Sequence, residues 1–300
     1  MKKSDEFLIL FAVIQQNRGQ YITSGEIMNK STEFGGLTDA QRDFYNTFGY
    51  VVLKRLFSSE ELGTIRGEFD KMLAEQYSHA PYDGSVRHWT PMMDEDTPFL
   101  ADLMEDGRFF SVAKQLYGDD VLGVVVDGNR YTGNTHWHRD TATVHQYGVK
   151  FAFYLQTVDV DTGALRVIPG THRLPNDDEF AQGVRSMLVE TVPATALASD
   201  PGDVVAFDIR LWHASFGGSK DRQMCTVVYY ANPKNPEELE ALRNQGARNV
   251  EAGIKSFNPK RRYIYSKEWV SNPTDNPARQ CWIDRLTEVG YFDAPGVVQA

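Results

Sequence analysis

The chain has 300 residues, 41% of them apolar and 24% charged, which fits a globular protein with one large core or two small ones and excludes a disordered chain. A formal net charge of -10, with no lysine- or arginine-rich run, leaves no electrostatic footprint for nucleic acid, while local arginines still permit a small anionic ligand. Two cysteines, Cys225 and Cys281, allow at most one bridge and point to a reducing, cytoplasmic setting.

At the N-terminus an apolar run over 7–14 follows Met1-Lys2-Lys3. Asp5 and Glu6 spoil a basic leader, no small-residue cleavage site follows, and the run is too short to span a bilayer. We read 1–35 as an extension with a short amphipathic helix, and 36–300 as a single domain ending in a helical tail. Thr38-Asp39-Ala40-Gln41 is a capping box that opens a helix to about Phe48, Gly49 stops it, and Tyr50-Val51-Val52-Leu53 follows as a strand. Ser58-Ser59-Glu60-Glu61 offers a second cap, behind which Leu62, Ile65, Phe69 and Leu73 recur at helical spacing.

From about residue 121 the pattern changes. Short β-branched or aromatic runs at 121–126, 149–158, 165–168, 204–207 and 225–230 alternate with clusters of Gly, Pro, Asn and Asp. Such spacing predicts a mostly β protein, an antiparallel sandwich or barrel with flanking helices. Helix returns over about 237–255, and the tail beyond reads as aromatic but irregular.

The chemistry concentrates in Thr135-His136-Trp137-His138-Arg139-Asp140. In a strand, residues two apart share a face, so His138 and Asp140 offer an imidazole and a carboxylate side by side. His213, in Leu211-Trp212-His213-Ala214-Ser215, is the best third ligand, with His172 after its Pro-Gly turn as the rival. Two histidines and one carboxylate on one face of an octahedron leave the other face open, as O2-activating iron(II) requires. Zinc would favour a tighter tetrahedral set, and no histidine pair at helical i, i+4 spacing supplies one. An H-x-D tripeptide alone is weak evidence. Its companions strengthen it: Pro201-Gly202-Asp203 turns into the strand that ends just before His213, and Arg222 follows on the next strand, where it could clamp a carboxylate through paired charge-assisted bonds. Thr226 has the same parity as Arg222 and could add a hydroxyl.

Together, Trp-His-x-Asp at 137–140, Gly-x-Leu to Pro-Gly-Thr-His at 163–172, Pro-Gly-Asp at 201–203, His-x-Ser at 213–215 and the trailing Arg222 resemble the phytanoyl-CoA dioxygenase-like iron(II)/2-oxoglutarate oxygenases, over roughly residues 37–230. The resemblance implies a double-stranded β-helix, the cupin-like jelly roll. It implies iron on His138, Asp140 and His213, with 2-oxoglutarate on Arg222, and Tyr154 and Thr143 as further candidates. The implied reaction consumes O2 and 2-oxoglutarate, releases succinate and CO2, and oxidises a small molecule, most simply by hydroxylation. Asp140 argues against a halogenase, which would need Gly or Ala there to admit chloride. Two departures stand out: Thr162 where the family often has Asn, and a short interval from His213 to Arg222 that makes Lys220 the alternative anchor. The contrasting reading is a catalytically silent jelly roll that only binds a ligand or partner.

Around the site, His136, His145, Arg130 and Arg166 are substrate candidates, and with Arg139 and Lys150 they suggest an anionic or zwitterionic substrate. The expected specificity segments are 79–108, 171–200 and the C-terminal tail. Trp137 and Trp212, each beside a ligand, should face away from the metal, and His79 and His88 should be surface residues.

Overall fold

The computed structural model describes residues 35–141, 143–175, 178–218, 221–254 and 262–300. The helix expected in 7–14 and the alternative anchor Lys220 lie outside them. Thr38 and Ser58 each close the reciprocal capping box their sequences announce, opening α1 (Asp39–Phe48) and α2 (Ser59–Gln76). Gly49 ends α1 in the left-handed conformation that a side chain would resist, and the chain passes straight into β1 (Tyr50–Leu53). The helical spacing in α2 buries Ile65, Phe69 and Leu73 as its pattern requires.

Ten strands can be traced among the described residues. After β1 come β2 (His88–Pro91), β3 (Leu122–Tyr131), β4 (Thr135–His138) and β5 (Gly148–Tyr154). Then follow β6 (Leu165–Val167), β7 (Thr195–Leu197), β8 (Val204–Asp208), β9 (His213–Ser215) and β10 (Arg222–Tyr230). They form two sheets, one of six strands in the order β1-β8-β5-β10-β3-β2 and one of four in the order β4-β9-β6-β7. The named pairings are all antiparallel. This is the mostly β architecture the sequence predicts, a jelly roll of two facing sheets.

The inner faces of the two sheets share one apolar core: Ala152, Val205, Phe207 and Met224 of the large sheet meet Leu165, Val167 and Leu197 of the small one. The large sheet is covered on its other side by helices. Phe151 meets Phe109 of α4 (Gly107–Tyr117), the helix that follows the short α3 (Pro98–Asp102), edge-on at 5.2 Å. On β10, Tyr229 packs against Trp282 from the C-terminal region. The small sheet carries Trp137, Ile168 and Trp212 on its outer face, where α5 (Asp178–Ser186) lays Val184. Trp137 and Trp212 thus face away from the interior, as strand alternation predicts.

Three expectations need correction. The tail is not irregular: beyond α6 (Pro236–Ile254) it forms α7 (Lys267–Ser271) and α8 (Pro277–Glu288), capped by Ser266 and Asn276. Its periodicity is blurred because α8 buries Arg279 as well as Trp282, Ile283 and Leu286. His88 is buried, not superficial, with its ring 3.7 Å from that of Tyr77 in a parallel stack. The 121–126 run extends to Tyr131, because polar Asp127 and Asn129 continue the strand on its inner face. No described helix is long and apolar enough to cross a membrane.

The Pro-Gly-Asp turn is held from inside. The buried Asp203 carboxylate accepts from Lys54 Nζ at 2.7 Å, from the Arg55 amide at 3.0 Å and from the Asp200 amide at 3.0 Å, tying the loop after β1 to the start of β8. Ser58→Ala removes the hydroxyl that caps α2 and should lower the free energy of unfolding by about 1 kcal/mol. Equilibrium urea denaturation of variant and parent measures it.

Candidate active site

β4 and β9 are antiparallel neighbours, and their register sets His138 directly opposite His213. The rings lie 4.2 Å apart between centroids. Each ring is oriented in the same way: Nδ1 bonds the carbonyl two residues earlier, His136 at 2.8 Å for His138 and Leu211 at 2.9 Å for His213. An Nδ1–H that donates to a carbonyl leaves Nε2 with its lone pair, the tautomer that binds a metal.

The H-x-D alternation predicts Asp140 on the strand with His138, and the structure does not place it there. β4 ends at His138 after an irregular register, and Asp140 lies in the loop beyond. Its amide donates to the Ile209 carbonyl at 2.9 Å, which anchors that loop beside β8 and β9. The carboxylate comes to the imidazoles all the same: Oδ1 is 3.5 Å from His138 Nε2 and 3.6 Å from His213 Nε2. One ligand atom from each of the three lies within 4.8 Å of the others, the span of a single ion's coordination sphere.

Lys150 completes the cluster from β5, with Nζ 2.9 Å from Asp140 Oδ2. Burial would raise the Asp140 carboxyl, but Lys150 and His213 beside it hold it well below the usual carboxylate range. Burial works against the Lys150 ammonium, yet the Asp140 and Asp127 carboxylates keep its pKa above the ordinary value. For His213, burial and the neighbouring His138 lower the pKa, against the pull of Asp140, so the ring stays neutral.

The metal-type cluster opens on a cavity between the sheets that reaches Tyr154, Ser215 and Arg222. Arg222 starts β10 and is fully buried, with its guanidinium 4.9 Å above the Tyr131 ring. Its Nη1 has no hydrogen-bond partner. A buried guanidinium nitrogen without an acceptor beside this cavity fits a carboxylate partner. Gly163 and Gly218 make room for it, since a Cβ on either would collide with the guanidinium, and Gly163 also holds φ +91°. That collision gives the Gly163 of the Gly-x-Leu motif its physical reason.

The other named residues sort cleanly. Tyr154 lines the cavity beside Arg222. Thr226 is buried on the same face of β10 with its hydroxyl unpartnered, but lines neither cavity. Thr143 is spent on its own turn, its amide and carbonyl both bonded to Thr141 Oγ1. His136 and His145 are exposed and line neither cavity; His136 serves the site through its carbonyl alone. Arg130 points to the outer side of β3, paired with Asp221 at 2.9 and 2.6 Å, and Arg166 lies 3.8 Å over the Phe216 ring. Both are on the wrong face for a substrate role, because strand parity sends them out of the sandwich. His172 is buried with Nε2 3.3 Å from the Asn46 carbonyl and is not one of the three clustered residues.

A second, larger cavity of about 280 Å³ shares Tyr131, Asp140 and Lys150 with the first. Its polar wall is a relay on β3 in which Arg87 Nε donates to Asn129 Oδ1 at 3.0 Å and Asn129 Nδ2 donates to Asp127 Oδ1 at 2.6 Å. Trp89, Tyr230 and, from α6, Gln245 and Asn249 close it. Of the expected specificity segments, 79–108 and the region after β10 contribute, but within 171–200 Phe180, Val184, Val189 and Val192 pack on the outer face of the small sheet and β7 is a strand of that sheet. The sequence carries signals for these residues: Lys150, already among the flanking charges, interrupts a run apolar on both faces, and Asp127, Asn129 and Tyr131, which no motif singles out, alternate within a strand.

A family model described as phytanoyl-CoA dioxygenase matches residues 45–224. The ectoine dioxygenase of Sphingopyxis alaskensis is 26% identical over 208 residues, covering 56% of this chain and 67% of that protein. The ectoine dioxygenase of Nocardia farcinica is 21% identical over 266 residues, with coverage of 76% and 89%. Among solved structures, EctD from S. alaskensis with 2-oxoglutarate and 5-hydroxyectoine aligns with TM-score 0.53 at 23% identity, covering 69% of this chain and 80% of that one. The non-haem α-ketoglutarate-dependent carbocyclase SnoK aligns with TM-score 0.54 at 21% identity, covering 68% and 88%. These structural likenesses carry the fold. The family match spans well over half of the chain, and with it the chain belongs to the phytanoyl-CoA dioxygenase family of iron(II)- and 2-oxoglutarate-dependent oxygenases.

Proposed function

We propose that His138, Asp140 and His213 hold the iron of this oxygenase and that Arg222 holds the carboxylate of 2-oxoglutarate remote from its keto acid. The observation that carries this reading is one cavity with two imidazole Nε2 atoms turned on a single carboxylate oxygen at one end and an unpartnered, buried guanidinium nitrogen at the other. When bound, iron supplies the activation of O2 at the expense of 2-oxoglutarate, which leaves as succinate and CO2 while the substrate is oxidised.

The chain's own residues set the geometry. The backbone carbonyls of His136 and Leu211 fix both rings, and Lys150 fixes the carboxylate. Phe207, whose ring centroid is 5.0 Å from that of His213, with Leu165 and Met224, gives the first cavity apolar walls that exclude water around the reacting centre. The larger cavity takes the substrate. Its volume is at the lower end for ligand pockets, which suits a metabolite-sized molecule. Asp127 and Arg87 offer opposite charges on one wall, which supports a small zwitterionic substrate, its cation on Asp127 and its anion on Arg87. Cys225 and Cys281 are unpaired, in keeping with a cytoplasmic setting.

Asp140→Ala should abolish turnover and iron retention, because it removes the anionic ligand and leaves a dication on neutral imidazoles. His213→Ala should be as damaging, whereas His172→Ala should retain metal. Iron content after dialysis decides; metal lost from His172→Ala and kept by His213→Ala would reassign the third ligand.

Arg222→Ala leaves the co-substrate carboxylate unpaired in a buried pocket, a loss of about 2–5 kcal/mol. The apparent 2-oxoglutarate requirement should rise roughly 30-fold or more. Arg222→Lys should recover only part, lacking the planar fork. Titration of 2-oxoglutarate at fixed iron measures both, and an unchanged requirement in Arg222→Ala would remove the anchor.

For the substrate, succinate release should be stimulated by zwitterionic compounds, with ectoine, named for the relatives, and free amino acids tried first against their neutral esters and amides. Asp127→Asn should erase that stimulation while basal 2-oxoglutarate binding persists. Stimulation by neutral compounds alone would refute the zwitterionic assignment.

A further inference from the structure

Lys150 has a part in the centre that ligation does not describe. It projects from β5, a strand paired on both sides, by β8 and by β10. Its Nζ lies 2.9 Å from Asp140 Oδ2, while Oδ1 of the same carboxylate is 3.5 and 3.6 Å from the two Nε2 atoms. The carboxylate is thus divided between two tasks, one oxygen toward the imidazoles and one toward an ammonium. Lys150 also lines both cavities, standing where the co-substrate and substrate spaces meet.

Imidazoles that ligate a metal are neutral, so two of them with an aspartate would bring one negative charge to the ion, and with Lys150 in contact the set would bring none. We propose that Lys150 is a positioning residue that sets the charge of the centre through Asp140, loosening its hold on the metal and strengthening its hold on 2-oxoglutarate. This rests on the iron and 2-oxoglutarate assignments above. The physical reason is the sign of two Coulomb interactions. An ammonium close to a dication repels it, and the same ammonium attracts a dianion entering the same cavity; with little water between, neither is screened as at a surface. A buried ion pair is weak evidence of stability in itself, so a lysine in contact with this carboxylate calls for a reason in function.

The opposed signs make the test sharp. Lys150→Met and Lys150→Arg are compared with the parent as full-length proteins, with thermal unfolding to establish folding. Cobalt(II) replaces oxidisable iron, and calorimetry measures first its affinity and then that of 2-oxoglutarate on the cobalt-loaded protein. Lys150→Met should bind cobalt(II) about tenfold more tightly and 2-oxoglutarate about tenfold more weakly, and Lys150→Arg should stay within about threefold of the parent on both. Should Lys150→Met fail to fold, Lys150→Gln carries the same comparison. A lysine that only holds the carboxylate in place would weaken both affinities on removal, and a merely structural one would change neither. Any result in which the two do not move in opposite directions overturns the proposal. His138→Ala is the control for the underlying assignment: undiminished cobalt(II) binding there would sink the ligand set itself, whatever Lys150 does.

Discussion

The pairing of β4 with β9 is the constraint on which the site depends. Placing His138 opposite His213 in an antiparallel register brings together two residues separated by most of the sandwich in sequence. A slip of one residue would turn both rings to the outer face and both tryptophans to the inner one. Trp137 and Trp212 prevent that slip, because they are buried on the outer face against Ile168 and Val184. The apolar neighbours of the ligands therefore do structural work for the chemistry: they make the wrong register expensive.

The interior is unusually charged for a sandwich core. Asp140, Lys150, Asp127 and Arg222 all lie between the sheets, where an isolated charge would be costly. Each is given a partner or a ring. Asp140 has Lys150, Asp127 has Asn129, and Arg222 has the Tyr131 face and an open nitrogen. These costs are carried by the apolar packing on both outer sides, where helices cover the large sheet and α5 covers the small one. The helices outside the jelly roll are thus part of what lets it hold a polar interior.

The two cavities draw on different parts of the chain. The one at the His138–Asp140–His213 cluster is lined by strand residues and by the loop carrying Asp140. The larger one borrows Trp89 and Arg87 from around β2 and Gln245 and Asn249 from α6. Those last two residues lie beyond the segment that matches the family model.

What the sequence determined by itself was local. Capping boxes at Thr38 and Ser58, the glycine stop at Gly49 and the apolar runs of the strands are decided by interactions within a few residues, so they are readable without a fold. His138, Asp140, His213 and Arg222 could be singled out in the sequence because ligand chemistry restricts which residue types can serve, and the fold brings ligand atoms of the first three within 4.8 Å of one another. The tertiary structure decided everything that depends on which face a strand turns inward. Parity along one strand is visible in sequence, but the absolute direction is not, and so Arg130 and Arg166 read as neighbours of the site although they point outward, while Asp127, Asn129 and Lys150 point in. Asp140 shows the limit most plainly. The two-residue spacing singled out this carboxylate for a reason the fold does not use, since the strand ends at His138 and a loop anchored on Ile209 brings the oxygen to the imidazoles instead.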